Sequence, residues 1–196
     1  MYELVAQAFN KYLGPGVVAE LSPQAVDLMK RHEEILCDLL QITPDNRVSS
    51  APEPSARDLF KSYMKRLGLK VNSEFLLQVS KDDDFEIWTA DMKFIGCSHG
   101  FMRASSYSFK ELTETDWSQL FIRDPENQLK LMKAIEVMQG GTPFVLDVTD
   151  WHEVKEIAAK KVTIKVRVKA TALAFDELTG EPKAIVGSIQ IKPPSH

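Results

Sequence analysis

The stretch "VTIKVRVKATALAF", residues 162–175, alternates apolar and polar side chains along its length. Val162, Ile164, Val166, Val168, Ala170, Ala172 and Ala174 share one parity, and Thr163, Lys165, Arg167, Lys169 and Thr171 the other. Successive side chains of a strand point to opposite faces, so this pattern predicts one long strand with a buried face and a solvated face. Such a strand needs a sheet around it. "DELTGEP" carries the residues of a turn, and "KAIVGSIQI" returns as the antiparallel partner. The Lys165, Arg167 and Lys169 stripe reads as the solvated face of the strand, with a partner-binding face as the other reading.

The rest of the chain is helical before it is stranded. Leu4, Val5, Ala8, Phe9 and Tyr12 recur at helical spacing over 3–13, and "GPG" at 14–16 stops that helix. Ser22 and Pro23 start a second helix of about 20 residues, with Val26, Met29, Leu36, Leu39 and Leu40 on one side. A polar tract at 43–55 reads as a loop. A third helix begins near Ser55 and ends at Gly68, and a short fourth covers 73–79. "KDDDFEIWTADMKFIGCS" then gives two strands around "ADMK". Short helices follow over 113–130. "PENQLKLMKAIEVMQGG" is a helix with Pro125 at its start, carrying Leu129, Met132, Ile135 and Met138 at a spacing of three. "PFVLDVTDW" reads as one strand. The order is that of an α+β domain, an antiparallel sheet with helices on one face.

The chain has 196 residues, 44% hydrophobic and 27% charged, enough for a sizeable core. Its net charge of −4 argues against nucleic acid as a partner. Two cysteines, Cys37 and Cys97, support no disulfide framework and read as reduced thiols of an intracellular protein. The first residues lack a basic start, an apolar run and a cleavage site, and no window is long and apolar enough for a membrane span. A cytoplasmic location is expected.

"FIGCSHGFMRASSYSFKEL", residues 94–112, places Cys97 and His99 two apart. A zinc site needs two further ligands, and His32, His152 and His196 make no metal spacing with the pair. A Cys–His nucleophile lacks an orienting third group in the sequence. The stretch instead resembles the corner of the PAS sensor domain. Ile95 ends a strand, Ser98 stands where that family has asparagine, and His99, Gly100 and Phe101 stand for its Pro-Ala-Phe segment. Ser106, Tyr107 and Ser108 stand for Gly-Tyr-Ser, and Lys110, Glu111 and Leu112 for Glu-Glu-Leu. "DWSQLF", the helix after Pro125 and the hairpin "FDELTGEPKAIVGSIQI" match the segments that follow. The resemblance covers roughly Phe85–Ile191 and implies 81–196 as a PAS-like domain, with 1–80 as an N-terminal helical extension. Ser98 would bond nearby backbone, Phe101 would plug the corner, and Ser108 with Glu111 would form a capping box.

The same resemblance bears on cofactors. Haem-binding members carry a histidine on the long connecting helix, and 126–138 has none. Flavin photosensors carry an Asn-Cys-Arg-Phe-Leu-like run, which is absent. Haem and flavin are therefore disfavoured, an unusual ligation by His99 or His152 aside. A small organic ligand against the concave sheet is the remaining occupant, and alternation would line its pocket with Ile87, Cys97, Phe101, Tyr107, Leu120, Met132, Ile135, Val145, Val166 and Val168. The competing reading is that these side chains simply fill the core. His32 in "KRHEEILCDLL" loosely resembles a histidine-kinase phosphoacceptor but lacks the Arg-Thr-Pro that follows it, and reads as a surface histidine. The expected protein is a non-enzymatic sensory or signalling module that acts through protein contacts. It would form a homodimer through the N-terminal helices or the sheet face, and engage a downstream signalling protein. The alternatives are a ligand-free dimerisation scaffold and a small isomerase- or dehydratase-like enzyme on a cone-shaped α+β fold. That enzyme would have to use Asp147, Asp150 and His152.

Overall fold

The structure is a computed structural model and describes residues 22–40 and 53–192. The helix expected at 3–13 and most of the polar tract lie outside the described residues. Helix α1 runs Pro23–Leu40, α2 Ala56–Leu67 and α3 Ser73–Gln78, with the two-residue β1, Leu69–Lys70, between the last two. Their ends obey local chemistry. Ser22 Oγ accepts the Ala25 N–H at 3.2 Å, Ser55 caps α2, and Gly68 closes it in the left-handed conformation at φ 63°.

Strands β2, Asp84–Thr89, and β3, Phe94–Cys97, form a hairpin. Short helices α4, His99–Ala104, α5, Phe109–Glu114, and α6, Trp117–Leu120, come next, and β4, Phe121–Ile122, follows. Helix α7 spans Pro125–Gln139, with Asp124 as its N-cap. The remaining strands are β5, Phe144–Leu146, β6, His152–Glu156, β7, Thr163–Asp176, and β8, Pro182–Lys192. The described strands make one antiparallel sheet in the order β3-β2-β8-β7-β6-β4.

The 14-residue β7 is its spine. One edge pairs with β8 along nearly its whole length, and the other pairs in turn with β6, β5 and β1. Of the single strand expected over 143–151 only β5 forms, because the chain leaves the ladder at Asp147, which sits at φ 46°, and β6 begins beyond that range at His152. The register of β7 shifts between Val168 and Ala170. One extra residue in a strand moves everything beyond it to the other face. Ile164, Val166 and Val168 accordingly pack in one core with Trp88, Phe101, Tyr107 and Ile189. Ala170, Ala172 and Ala174 pack in a second with Phe60, Tyr63, Phe85, Ile87 and Val186.

The sheet is therefore covered on both faces. Helices α4 to α7 lie on the inner side, and α2 and α3 fill the outer side with Leu59, Phe60, Tyr63, Met64 and Phe75. Helix α1 joins the two cores, giving Ala25, Leu28 and Met29 to the inner and Ile35 and Leu36 to the outer. Its buried face is centred on His32, which is 2% exposed, so the expected surface histidine is a core residue. The outer sheet face, offered as a homodimer surface, is occupied by the chain's own helices. Among the described residues no helix is long and apolar enough to cross a membrane.

Candidate functional site

Strand β2 decides what lies beneath α7. Glu86 and Trp88 face inward, opposite Gly187 and Ile185 on β8, while Phe85 and Ile87 face outward, opposite Ser188 and Val186. Ile87 is thus absent from the expected pocket. Alternation could not place it, because apolar residues line both faces of a strand covered on both sides. Cys97, Phe101, Tyr107, Leu120, Val166 and Val168 do come together in the inner core, and Val145 packs at its edge. Met132 is 51% exposed, because α7 turns Leu131, Ala134 and Met138 inward. A spacing of three drifts 60° around a 3.6-residue helix at each step, so a run of threes cannot stay on one face.

Between α7 and the sheet lies a cavity of about 30 Å³, with Ile135 and Val168 among its walls. That volume suits a water molecule or two. Two features of it are polar. The Glu86 carboxyl faces it, raised from its usual range by burial and partly brought back by the Arg123 guanidinium. Arg123 stacks over the Trp117 ring at 4.3 Å and lies 5.4 Å from the centre of the Phe121 ring. The buried Trp88 indole N–H is close enough to Glu86 to lower its carboxyl, yet completes no hydrogen bond among the described residues.

The corner between β3 and α4 is the second polar region. Ser98 Oγ accepts the Phe85 N–H at 3.2 Å and the Phe101 N–H at 3.3 Å, and donates to Asp84 at 2.6 Å. This is the local bonding that the sequence asked of it. Ser108 and Glu111 form the expected capping box. Tyr107 Oη donates to the Leu120 carbonyl and accepts the Ile157 and Ala158 N–H groups. Beside it, the buried Glu156 accepts from Ser106 N and Oγ, both at 2.5 Å, and from Val162 N at 3.0 Å.

His99 is 2% exposed, and its Nε2 lies 2.9 Å from His32 Nε2. His32 Nδ1 lies 2.5 Å from Tyr63 Oη. On the other side His99 Nδ1 lies 3.3 Å from Glu53 Oε1, which also accepts from Arg103 at 2.7 Å. Burial lowers the His99 pKa to about 4, with Glu53 opposing and Arg103 assisting. His32 is lowered by burial and then by His99. Burial raises the neighbouring Cys97 thiol and Tyr63 phenol, so both stay protonated. The group opens on a cleft of about 360 Å³ walled by 53–56, 81–84 and the corner itself. Glycines let these pieces meet, because a Cβ at Gly96 would enter the Tyr63 ring and one at Gly100 the Asp84 carboxylate. A glycine inside the apolar strand "FIGC" was the one sequence sign of such an approach.

Cys97 faces the inner core and His99 faces α1, so the pair forms neither a dyad nor a metal site. Among the described residues no group of three or more His, Cys, Asp or Glu is placed to hold a metal ion. Asp147 pairs with Arg167 at 2.6 Å and is 73% exposed. Asp150 is 95% exposed, and the His152 Nδ1–H donates to its backbone carbonyl at 2.9 Å. The Asp–His pair that an enzyme of the cone-shaped kind would need inside its pocket does not assemble.

No family model matches the chain, and no curated protein matches it. Solved structures do. The PAS-B domain of Drosophila melanogaster Cycle, solved with bound ethylene glycol, is 13% identical, covering 56% of this chain and 99% of that one with a TM-score of 0.45. A light-oxygen-voltage domain studied with a flavin analogue is 18% identical over 56% of this chain and 77% of that one, TM-score 0.44. A domain of a sensory box sensor histidine kinase/response regulator from Geobacter sulfurreducens is 18% identical over 61% and 91%, TM-score 0.36. The chains it resembles are PAS domains, and the likeness concerns the fold alone.

Proposed function

We propose that this chain is a non-enzymatic sensory or signalling module of PAS type, reading the occupancy of its inner core and passing the result on by protein contact. The observation that carries the reading is the Glu86 carboxyl facing the cavity under α7, under the through-space influence of the Arg123 guanidinium. A carboxyl turned into a largely apolar core costs folding energy and is a natural recognition element for a small polar molecule. The resting cavity is far below the several hundred Å³ of an ordinary ligand site, so a small organic ligand enters only as α7 moves outward. The outward side of α7 carries Leu129, Met132 and Val137, all exposed. One helix thus has the cavity on one side and a surface for a downstream protein on the other. The homodimer expected from the outer sheet face loses that surface to α2 and α3.

The test is a native mass spectrum with an absorption scan, followed by thermal-shift screening of small polar molecules. The expected result is no absorption beyond the aromatic band, and a hit on the wild type that Glu86→Gln loses. A Soret or flavin band overturns the cofactor-free reading. A bare mass with no hit leaves the ligand-free scaffold instead.

A further inference from the structure

We propose that the His32–His99 contact is an acid-sensitive latch that fastens α1 to the β3–α4 corner. The geometry requires a definite proton arrangement. A carboxylate can only accept, so Glu53, 3.3 Å from His99 Nδ1, favours the proton on that nitrogen. His99 Nε2 is then an acceptor, and His32 must donate from Nε2 across 2.9 Å. His32 Nδ1 in turn accepts from Tyr63 Oη at 2.5 Å. One chain of hydrogen bonds therefore runs from α2 through α1 to the corner, and Glu53 of the cleft lies 3.3 Å beyond it.

The chain tolerates one added proton and not two. With a single imidazolium, one Nε2–H still faces one lone pair, and Tyr63 or Glu53 takes the other ring's hydrogen. With both rings charged, two N–H groups and two positive charges meet at a separation that suits one hydrogen bond. The described groups around the pair are poorly placed to absorb the second charge. Tyr63 on α2 and Cys97 on β3 are neutral, and Arg31 on α1 and Arg103 on α4 are positive. Glu53 is already bound to Arg103, and Asp84 on β2 is turned to Ser98. The described ion pair between α1 and α2, Glu34 with Arg66, is half exposed on both sides and adds little.

Opening α1 returns both rings to water, where a histidine titrates near 6.5. The open form then binds up to two more protons than the closed one. Its population rises by up to about 100-fold per pH unit below that value, fading toward the His99 pKa of about 4. Opening uncovers Ala25, Leu28 and Met29 at one end of α1, and Ile35 and Leu36 at the other.

Amide hydrogen exchange of the full chain between pH 7 and pH 5, corrected for the intrinsic pH dependence of exchange, reads the opening of α1 directly. The expected result is an α1 opening constant that climbs steeply with acid while β7 and β8 stay protected. In His32→Gln, which keeps a side chain able to bond, the climb falls to at most about 10-fold per pH unit. Side-chain nitrogen shifts of His32 and His99 in the wild type give the same answer if that variant does not fold, by showing both rings neutral at pH 7 and titrating with α1 opening. An α1 opening constant that ignores pH overturns the latch, as does one that rises in step with β7 and β8, because acid would then unfold the whole chain.

Discussion

Lys169 is the extra residue of the β7 bulge, and its ammonium does not lie in the solvated stripe suggested by alternation. It reaches the Asp83 carboxylate at 2.9 Å and the Gln78 carbonyl at 2.8 Å. Asp83 is 2% exposed. Burial pushes its carboxyl up, but Lys169, Gln190 and the Ser80 N–H together hold it below the usual range. A group depressed in this way stabilises the fold above its unfolded pKa of about 3.9 and loses that contribution as pH falls through its folded value. Lys169→Met leaves the carboxylate buried without its cation and should cost about 3 kcal/mol at pH 7. The sign of the pH dependence should also reverse. With Asp83 now raised by burial, the stability gap to the wild type should narrow as pH falls from 7 to 5. Urea denaturation of both proteins at the two pH values checks it. A gap that stays constant would mean the Asp83–Lys169 pair carries no charge interaction.

At the scale of the element, β7 serves two cores because its register shifts at Lys169. Before the shift Val166 faces the inner core, opposite His152 and Ile191. Val166→Asp buries a carboxylate whose cross-strand neighbours are the His152 imidazole and the apolar Ile191, at a cost of several kcal/mol even after its pKa rises, so this variant should unfold or aggregate. Lys165 lies between Glu153 on β6 and Lys192 on β8. Lys165→Asp loses attraction on one side and gains it on the other, for a change within about 0.5 kcal/mol. Chemical denaturation of the two variants reads the facing of the strand, and a larger loss for Lys165→Asp would place the register one residue away. Helix α7 follows the same logic at its own period. Its inner residues are Leu131, Ala134 and Met138, and Leu129 and Met132 remain outside.

For the molecule as a whole, helices α1, α2 and α3 are part of the core. Strand β1 pairs with β7, and Phe60 lies edge-on to Phe85 at 5.3 Å across the layer boundary. A chain beginning at Ser80 would expose Phe85, Ile87, Val186 and the three alanines of β7 in one apolar face. It should aggregate, or survive only as an oligomer that covers this face. Sedimentation against the full chain decides between them, and a well-behaved monomer would show the helical layer to be dispensable.

The sequence by itself determined the elements whose cause is local. The ends of α1, α2 and α7 follow from Ser22 with Pro23, Ser55 with Gly68, and Pro125, because a cap is chemistry between residues two to four apart. The long strand followed from period two, and the corner at Ser98, Tyr107 and Ser108 from its ordered resemblance to PAS domains. Six of the expected pocket residues meet in the inner core for the same reason, since apolar parity is enough where only one face of an element is buried. Tertiary structure decided the rest. Ile87 faces outward, because the helical layer buries the second face of β2, and no period distinguishes two buried faces. One residue of bulge at Lys169 moves Ala170 away from Val168, and a register shift leaves no mark in composition. His32 and His99, 67 positions apart, meet only because α1 crosses from one core to the other beside the corner. A hydrogen-bonded chain of that kind is a property of packing, and packing is set by the whole sheet and its two layers together.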